Sequence, residues 1–265
     1  MSGDLSQLWP IIVSGGFVVG FLVGMTGVGA GSLMTPFLIT QIGIAPAVAV
    51  GTDLLFASIT KASAAAPHHT FGNVNWRLVK WLAAGSVPGA LAMLALVSYF
   101  NPDTAALSRI IKQALVTALI LSALAILVYP FITRGRSEQT DVADVIVKRW
   151  QTLALGFTLG SIVTLTSVGA GAIGVVILTL LYPTLRTRRL IGTDIVHAVP
   201  LTLVSGLAHV GMGNTDFKLL GVLLLGSLPG IAIGSRLTGR LPDPLLRGAL
   251  ALILCFAAYQ LTQKI

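Results

Sequence analysis

The sequence predicts an all-α integral membrane protein made of two inverted repeats, and three observations lead to that fold class. The 265 residues are 55% hydrophobic and only 10% charged, with a mean hydropathy of +0.90. Apolar stretches close to the roughly 20 residues that a bilayer core requires recur along the whole chain. The same short motifs occur once in each half. Because a soluble domain carries about 25% charged residues, most of this surface is expected to meet lipid.

Four pairs of motifs mark the repeat. The stretch "GVGAGSLMTPFL" begins at Gly27, and "SVGAGAIGVVIL" begins at Ser167, 140 positions later. Three further pairs are 141 positions apart: "GTDLL" at Gly51 with "GTDIV" at Gly192, "GNVNW" at Gly72 with "GNTDF" at Gly213, and "GSVPG" at Gly85 with "GSLPG" at Gly226. One unit used twice is therefore predicted, with residues 1–132 as the first repeat and residues 150–265 as the second.

Each repeat holds five apolar segments, which we expect to be helical. They cover residues 9–27, 29–42, 46–67, 77–100 and 107–132, and then 150–167, 169–182, 190–210, 217–236 and 245–262. The second segment of each repeat is short, about 14 residues or about 21 Å at the helical rise. It either crosses as a short helix, which gives ten segments, or merges with its predecessor into one broken span, which gives eight.

The basic residues distinguish these two topologies, because Lys and Arg concentrate in cytoplasmic loops. Ten segments with the N-terminus outside put twelve of them near the inner face: Arg77, Lys80, Arg134, Arg136, Lys148, Arg149, Arg186, Arg188, Arg189, Arg236, Arg240 and Arg247. Only four lie outside: Arg109, Lys112, Lys218 and Lys264. Eight spans would divide the same residues equally. The bias predicts ten segments, hence inverted repeats, both termini outside, and a cytoplasmic linker at residues 133–149.

Several function classes are not expected from this sequence. The net charge is +8, and the basic residues lie between apolar segments rather than on a basic face with interleaved aromatic residues. No nucleic-acid partner is therefore predicted. Cys255 is the only cysteine, which excludes disulfides within the chain and Cys-ligated metal clusters. The histidines form no convincing metal cluster, and no catalytic Ser-His-Asp or Cys-His arrangement has supporting context. We therefore expect no enzyme, no catalytic residues, no metal and no cofactor.

The two glycine-rich turns are the leading candidates for a binding site. They lack the Walker lysine and the strand–turn–helix context of a nucleotide site. A helix break at membrane depth is tolerated where it lines a cavity or is buried in protein, and a pair of breaks in inverted repeats indicates a transporter site. The candidate substrate-binding residues are Gly29, Ala30, Gly31, Ser32, Thr35, Thr166, Ser167, Gly169, Ala170 and Gly171, with Thr52, Lys61 and Thr193. The alternative is that these glycines only let helices pack closely.

Three ionisable residues lie inside apolar segments, where an unpaired charge is costly. They are Asp53, Lys61 and Asp194, and the ten-segment topology places Lys61 and Asp194 at similar depth in different repeats. Together with His197, the two aspartates are candidates for ion coupling or for an ion pair. The structural alternative is that they only orient helices or cap broken helix ends.

The doubled motifs also resemble a known family. The set "GVGAGSLMTPFL", "AVGTDL", "GNVNWR" and "GSVPGA", repeated as "SVGAGAIGVVIL", "LIGTDI", "GNTDF" and "GSLPGI", is similar to the TauE/SafE sulfite exporter family. The resemblance covers nearly the whole chain. It implies a multi-pass permease of the bacterial cytoplasmic membrane that moves sulfite, sulfonates or related small organosulfur anions, with export favoured over import.

The leading hypothesis is therefore a secondary transporter whose partners are a small anionic substrate and the lipid bilayer. A homodimer is compatible with the sequence, which contains nothing that fixes the oligomeric state. The alternative from another class is a membrane anchor or assembly subunit without transport of its own. A carrier predicts polar residues that converge on one centre from both repeats, whereas an anchor predicts an exposed docking face.

Overall fold

Residues 5–26, 31–135, 145–237 and 242–265 are described by a computed structural model. They form ten α-helices and no strand: α1 (Leu5–Thr26), α2 (Gly31–Phe37), α3 (Pro46–Thr70), α4 (Trp76–Phe100), α5 (Thr104–Thr133), α6 (Arg149–Thr166), α7 (Ala172–Leu181), α8 (Thr187–Gly211), α9 (Phe217–Leu237) and α10 (Asp243–Thr262). A π-helical turn, Leu38–Ile42, continues α2. The ten predicted helical segments are confirmed, with every end within four residues of its predicted position.

Six of the described helices are long and apolar enough to cross a membrane: α1, α4, α5, α8, α9 and α10. Two short apolar helices accompany them, Ser32–Ile42 and Ala172–Leu181, which are the predicted second segments of the repeats. The length and apolar character of these helices make the chain a multi-pass, all-α membrane protein.

Equivalent helices of the two repeats run in opposite directions. In the packing of α3 against α8, Gly51 lies next to His209, and Gly192 lies next to His68. Residue numbers thus rise along one helix as they fall along its partner, which means that the helices are antiparallel. The inverted relation predicted from the charge distribution is confirmed by this packing.

The last helices of the repeats, α5 and α10, are antiparallel as well. The Lys112 ammonium donates a hydrogen bond of 2.6 Å to the backbone oxygen of Lys264. At the other end of the pair, the Arg247 guanidinium lies over the Tyr129 ring, 5.1 Å from its centroid. Fusing each short helix with its predecessor into one span would make equivalent helices parallel. The packing therefore favours ten alternating segments over eight.

The two repeats interlock through glycine-lined contacts. Helix α1 packs along α9, and α4 packs along α6, so the first helix of each repeat lies against the fourth helix of the other. A Cβ on Gly20 would lie 2.4 Å from the Ser227 backbone oxygen, and one on Gly160 would lie 2.1 Å from that of Ser86. Small residues let these backbones approach closely. The division at residues 133–149, of which residues 136–144 lie outside the described part of the chain, stays a prediction about the sequence repeat.

Candidate functional site

The glycine-rich turn of the second repeat separates α6 from α7. Helix α6 ends at Thr166, and Ser167 caps it in the left-handed region with φ +59°. Gly169 and Gly171 follow with φ +121° and +134°, values that glycine adopts without the steric cost of a side chain. Helix α7 begins directly after this turn at Ala172. The predicted helix break is therefore present in the second repeat.

The corresponding turn of the first repeat leads into α2. That helix begins at Gly31, and Ser32 and Thr35 are buried in it. Gly29 and Ala30, two of the predicted substrate-binding residues, lie outside the described residues. The predicted binding role of this turn stays a prediction.

Lys61 of α3 reaches from the first repeat to the turn of the second. Its side chain is 8% exposed, and its ammonium donates a hydrogen bond of 2.9 Å to the backbone oxygen of Ala170. A carbonyl satisfies one of the three ammonium donors but leaves its positive charge in place. Lys61 therefore brings a buried cation to the helix break.

Asp194 of α8 lies close to the same point. Its charge interacts with that of Lys61, but no described acid lies within the 4.0 Å of a contact ion pair with this lysine. Asp194 is fully buried, and neither carboxylate oxygen has a hydrogen-bond partner among the described residues. A Cβ on Gly174 would lie 2.3 Å from Asp194 Oδ1, so the carboxylate occupies space that only glycine leaves open. The predicted proximity of Lys61 and Asp194 is present, without direct contact.

Asp53 of α3 occupies the equivalent position in the first repeat and has different neighbours. The Thr35 hydroxyl donates a hydrogen bond to its carboxylate. The Ser167 side chain also interacts with Asp53, although its hydroxyl has no hydrogen bond of ordinary geometry. The counterpart of Thr35 in the second repeat is Val175, which carries no hydroxyl. The two aspartates are thus equivalent in sequence and distinct in environment.

His197 lies one helical turn after Asp194. Its Nε2 is 2.9 Å from the Ser86 hydroxyl of α4, whereas its buried Nδ1 has no partner among the described residues. The counterpart of His197 in the first repeat is Phe56. Lys61, Asp194 and His197 form a polar centre, and this centre does not follow the symmetry of the two repeats.

Thr52 and Thr193 make contacts that the sequence did not reveal. The Thr52 hydroxyl accepts a hydrogen bond of 3.0 Å from the backbone N–H of Asp216, and the Thr193 hydroxyl accepts one of 2.9 Å from that of Asn75. Each threonine thereby holds the loop between the third and fourth helices of the other repeat. Their predicted role in substrate binding stays a prediction.

Sequence reasoning missed two residues of this centre. Ser86 belongs to the repeated "GSVPG" motif, so repetition was the signal that could have found it, whereas Gly174 has Met34 as its counterpart in the first repeat and carries no such signal. His209, in the last turn of α8, is buried, and its Nε2 lies 3.0 Å from the Thr164 backbone oxygen. Among the described residues, no group of three His, Cys, Asp or Glu side chains could hold a metal ion.

Comparison with known proteins gives a consistent set of relatives. A probable membrane transporter protein of Bacillus subtilis (strain 168), YjnA, is 40% identical over 236 residues, which cover 88% of this chain and 92% of that protein. A second one from the same organism, YdhB, is 23% identical over 89% of this chain and 93% of its own length. A probable membrane transporter protein of Methanocaldococcus jannaschii is 27% identical over 79% of this chain and 74% of its own. No solved structure matches the chain.

A family model provides the broadest match. The model described as sulfite exporter TauE/SafE matches residues 12–261, and its span includes both sets of repeated motifs. Because this match runs over nearly the whole length, the chain belongs to the TauE/SafE sulfite exporter family.

Proposed function

We propose that this membrane transporter is a secondary carrier that exports small anions, namely sulfite, sulfonates or related organosulfur compounds, across the cytoplasmic membrane. The family match and the relatives named as probable membrane transporter proteins support transport. One observation carries the choice of an anion. The Lys61 ammonium is buried beside a helix break, and its hydrogen bond goes to a neutral carbonyl.

The electrostatics of the turn favour an anion. A buried ammonium is stabilised by nearby negative charge, and here the Ala170 carbonyl supplies only a dipole while the Asp194 carboxylate interacts with Lys61 without a contact ion pair. The first N–H groups of α7 add the positive end of a helix dipole, equivalent to about half an elementary charge. An anion placed between Lys61 and the start of α7 would be attracted by both.

The hydrogen-bond donors suit a sulfite or sulfonate group. Such a group presents three oxygens, each of which accepts hydrogen bonds. Lys61 has two ammonium N–H groups beyond the one that Ala170 accepts. The Ser167 hydroxyl is buried beside the turn, where it interacts with Asp53 without a hydrogen bond of ordinary geometry, and its O–H can rotate toward a substrate oxygen. We assign substrate contact to Lys61, Ser167 and the turn at Gly169–Gly171, with the first-repeat turn as its symmetric counterpart.

Counterflow in proteoliposomes tests this proposal. Vesicles that contain the purified protein are loaded with unlabelled sulfite or methanesulfonate and diluted into medium with the radiolabelled anion. A carrier accumulates label transiently inside the loaded vesicles, whereas vesicles loaded with chloride do not. The absence of counterflow for every organosulfur anion, in protein that is shown to be folded, would favour the anchor or assembly subunit instead.

A further inference from the structure

Asp194 is the buried acid that the proposed anion site leaves without a hydrogen bond from any described residue. Both of its oxygens are shielded from solvent and lack a donor among the described residues. Its equivalent, Asp53, accepts a hydrogen bond from Thr35, which stabilises the ionised carboxylate. An ionised carboxylate without donors in a buried position is costly, whereas a protonated one is neutral. The two aspartates are therefore not interchangeable as proton acceptors.

Among the described residues, Lys61 is the charge that acts on Asp194, and Asp53 acts on the same ammonium. Helix α3 contributes Lys61 and Asp53, which both interact with charges of this centre. Helix α7 carries no titratable residue and places Gly174 against Oδ1. His197, on the same helix as Asp194, is hydrogen-bonded to Ser86. The remaining titratable side chains on α8 and on the described helices packed against it are Arg188, Arg189 and His209 of α8, His68 and His69 of α3, Arg77, Lys80 and Tyr99 of α4, and Arg149 of α6.

The charges of the centre change when the proposed anion binds. With both carboxylates ionised, the single ammonium of Lys61 leaves the centre with one net negative charge. A bound monovalent anion would raise this to two negative charges within a poorly solvated space. Like charges at close range disfavour the charged form of an acid, and Asp194 is the acid that receives no hydrogen bond from the described part of the chain. Binding of the anion is therefore coupled to protonation.

We propose that Asp194 takes up one proton when the anion binds beside Lys61, so that the carrier moves the anion and H⁺ in the same direction. This inference rests on the proposed function. The proton comes from the aqueous phase on the side where the anion enters, bonds to a carboxylate oxygen of Asp194, and leaves on the other side with the anion. Transport of a monovalent anion is then electroneutral, and the combined anion and proton gradients set its direction.

Proton uptake on binding tests the inference. Methanesulfonate is the probe, because it is the anion of a strong acid and does not itself bind a proton near neutral pH. Purified protein in weakly buffered detergent solution is mixed with methanesulfonate, and a pH-indicator dye reports proton uptake while calorimetry reports binding. At pH values above the range in which Asp194 is already protonated, we expect uptake of about one proton per bound anion. At those pH values the affinity should fall about tenfold for each unit rise in pH.

The same Asp→Asn substitution at two positions identifies the carboxylate that takes up the proton. Asp194→Asn keeps the side chain neutral and should bind methanesulfonate without proton uptake and with an affinity independent of pH. Asp53→Asn is the matched control and should retain proton uptake, whatever its affinity. Binding by the wild-type protein without proton uptake, or unchanged uptake in Asp194→Asn, would overturn the inference and leave the proposed function standing. A folded wild-type protein that binds no organosulfur anion, methanesulfonate and sulfite included, would overturn both.

Discussion

At the scale of single residues, the buried centre departs from the symmetry of the repeat at three positions. Lys61 has Thr202 as its counterpart, His197 has Phe56, and Thr35 has Val175. These differences place a cation on one side of the centre and, within the described residues, leave one of two equivalent aspartates without a hydrogen bond. A site that binds one anion at a time requires one asymmetric arrangement of this kind, whereas symmetric helix packing does not require it.

Gly174→Ala is predicted to disturb the centre without changing its charge. The new methyl group would lie 2.3 Å from Asp194 Oδ1, so the carboxylate must move away from α7. We expect binding of methanesulfonate to weaken and its pH dependence to shift, as measured by calorimetry at several pH values. Gly221→Ala is the control, because its Cβ would meet nothing within 4 Å. Unchanged binding in Gly174→Ala would show that the position of Asp194 is irrelevant to the anion.

Gly169→Leu is predicted to abolish transport while the protein still inserts into the membrane. The constraint is conformational, since φ is +121° and a side chain at this dihedral is strained whatever space surrounds it. Counterflow and membrane yield are measured side by side, with Gly221→Leu in the exposed part of α9 as the control. The equivalent variant Gly29→Leu tests the first repeat. Normal counterflow in both turn variants would mean that the turns are spacers.

The sequence could predict some of these residues and not others. Asp53, Lys61, Asp194 and His197 stand out because an ionisable side chain in an apolar helix requires an explanation. Ser86 and Gly174 do not stand out, since small residues in membrane helices usually serve packing. The hydrogen bond of Thr35 to Asp53 depends on how α2 lies against α3, which no local pattern encodes.

At the scale of elements, the apolar periodicity was sufficient to find all ten helices, because each is bounded by glycine, proline or a polar loop. The partners of those helices were not predictable. The close contacts of α1 with α9 and of α4 with α6 use glycines in both members of each pair. A glycine in the sequence indicates that something approaches closely but does not identify the partner.

Thr193→Val is predicted to lower the stability of the contact between repeats. It removes the acceptor of the buried Asn75 N–H, which costs about 1–3 kcal/mol. We expect a lower Tm in detergent, by about 2–4 °C for each kcal/mol lost. Thr52→Val should have a similar effect at the equivalent contact, and the double change should be nearly additive. Thr158→Val on the exposed face of α6 is the control, and an equal loss there would contradict a specific role for these contacts.

At the scale of the whole molecule, the antiparallel packing of equivalent helices agrees with the distribution of basic residues. The packing describes contacts inside the protein, whereas the basic residues report its orientation in the membrane. The two observations are therefore independent. The excess of Lys and Arg on one side predicts which face is cytoplasmic.

Both termini are predicted to lie outside the cytoplasm. A reporter fused after Ile265 that is active only in the cytoplasm should be inactive, and one that is active only outside should be active. Fusions within residues 134–149 and 186–189 should give the opposite pattern, since these basic segments are predicted to be cytoplasmic. A cytoplasmic C-terminus would remove the ten-segment topology.

The central claim is that the Lys61 ammonium binds the transported anion, and the affinity of Lys61 variants tests it most directly. Lys61→Met should weaken binding of sulfite or methanesulfonate about tenfold or more, equivalent to about 1.4 kcal/mol or more, and Lys61→Arg should retain part of the affinity. The decisive comparison is Lys61→Met with Lys61→Met plus Asp194→Asn, both as folded protein. We predict that affinity stays low in both. Normal affinity in the double variant would contradict the claim, because Lys61 would then serve only to neutralise Asp194.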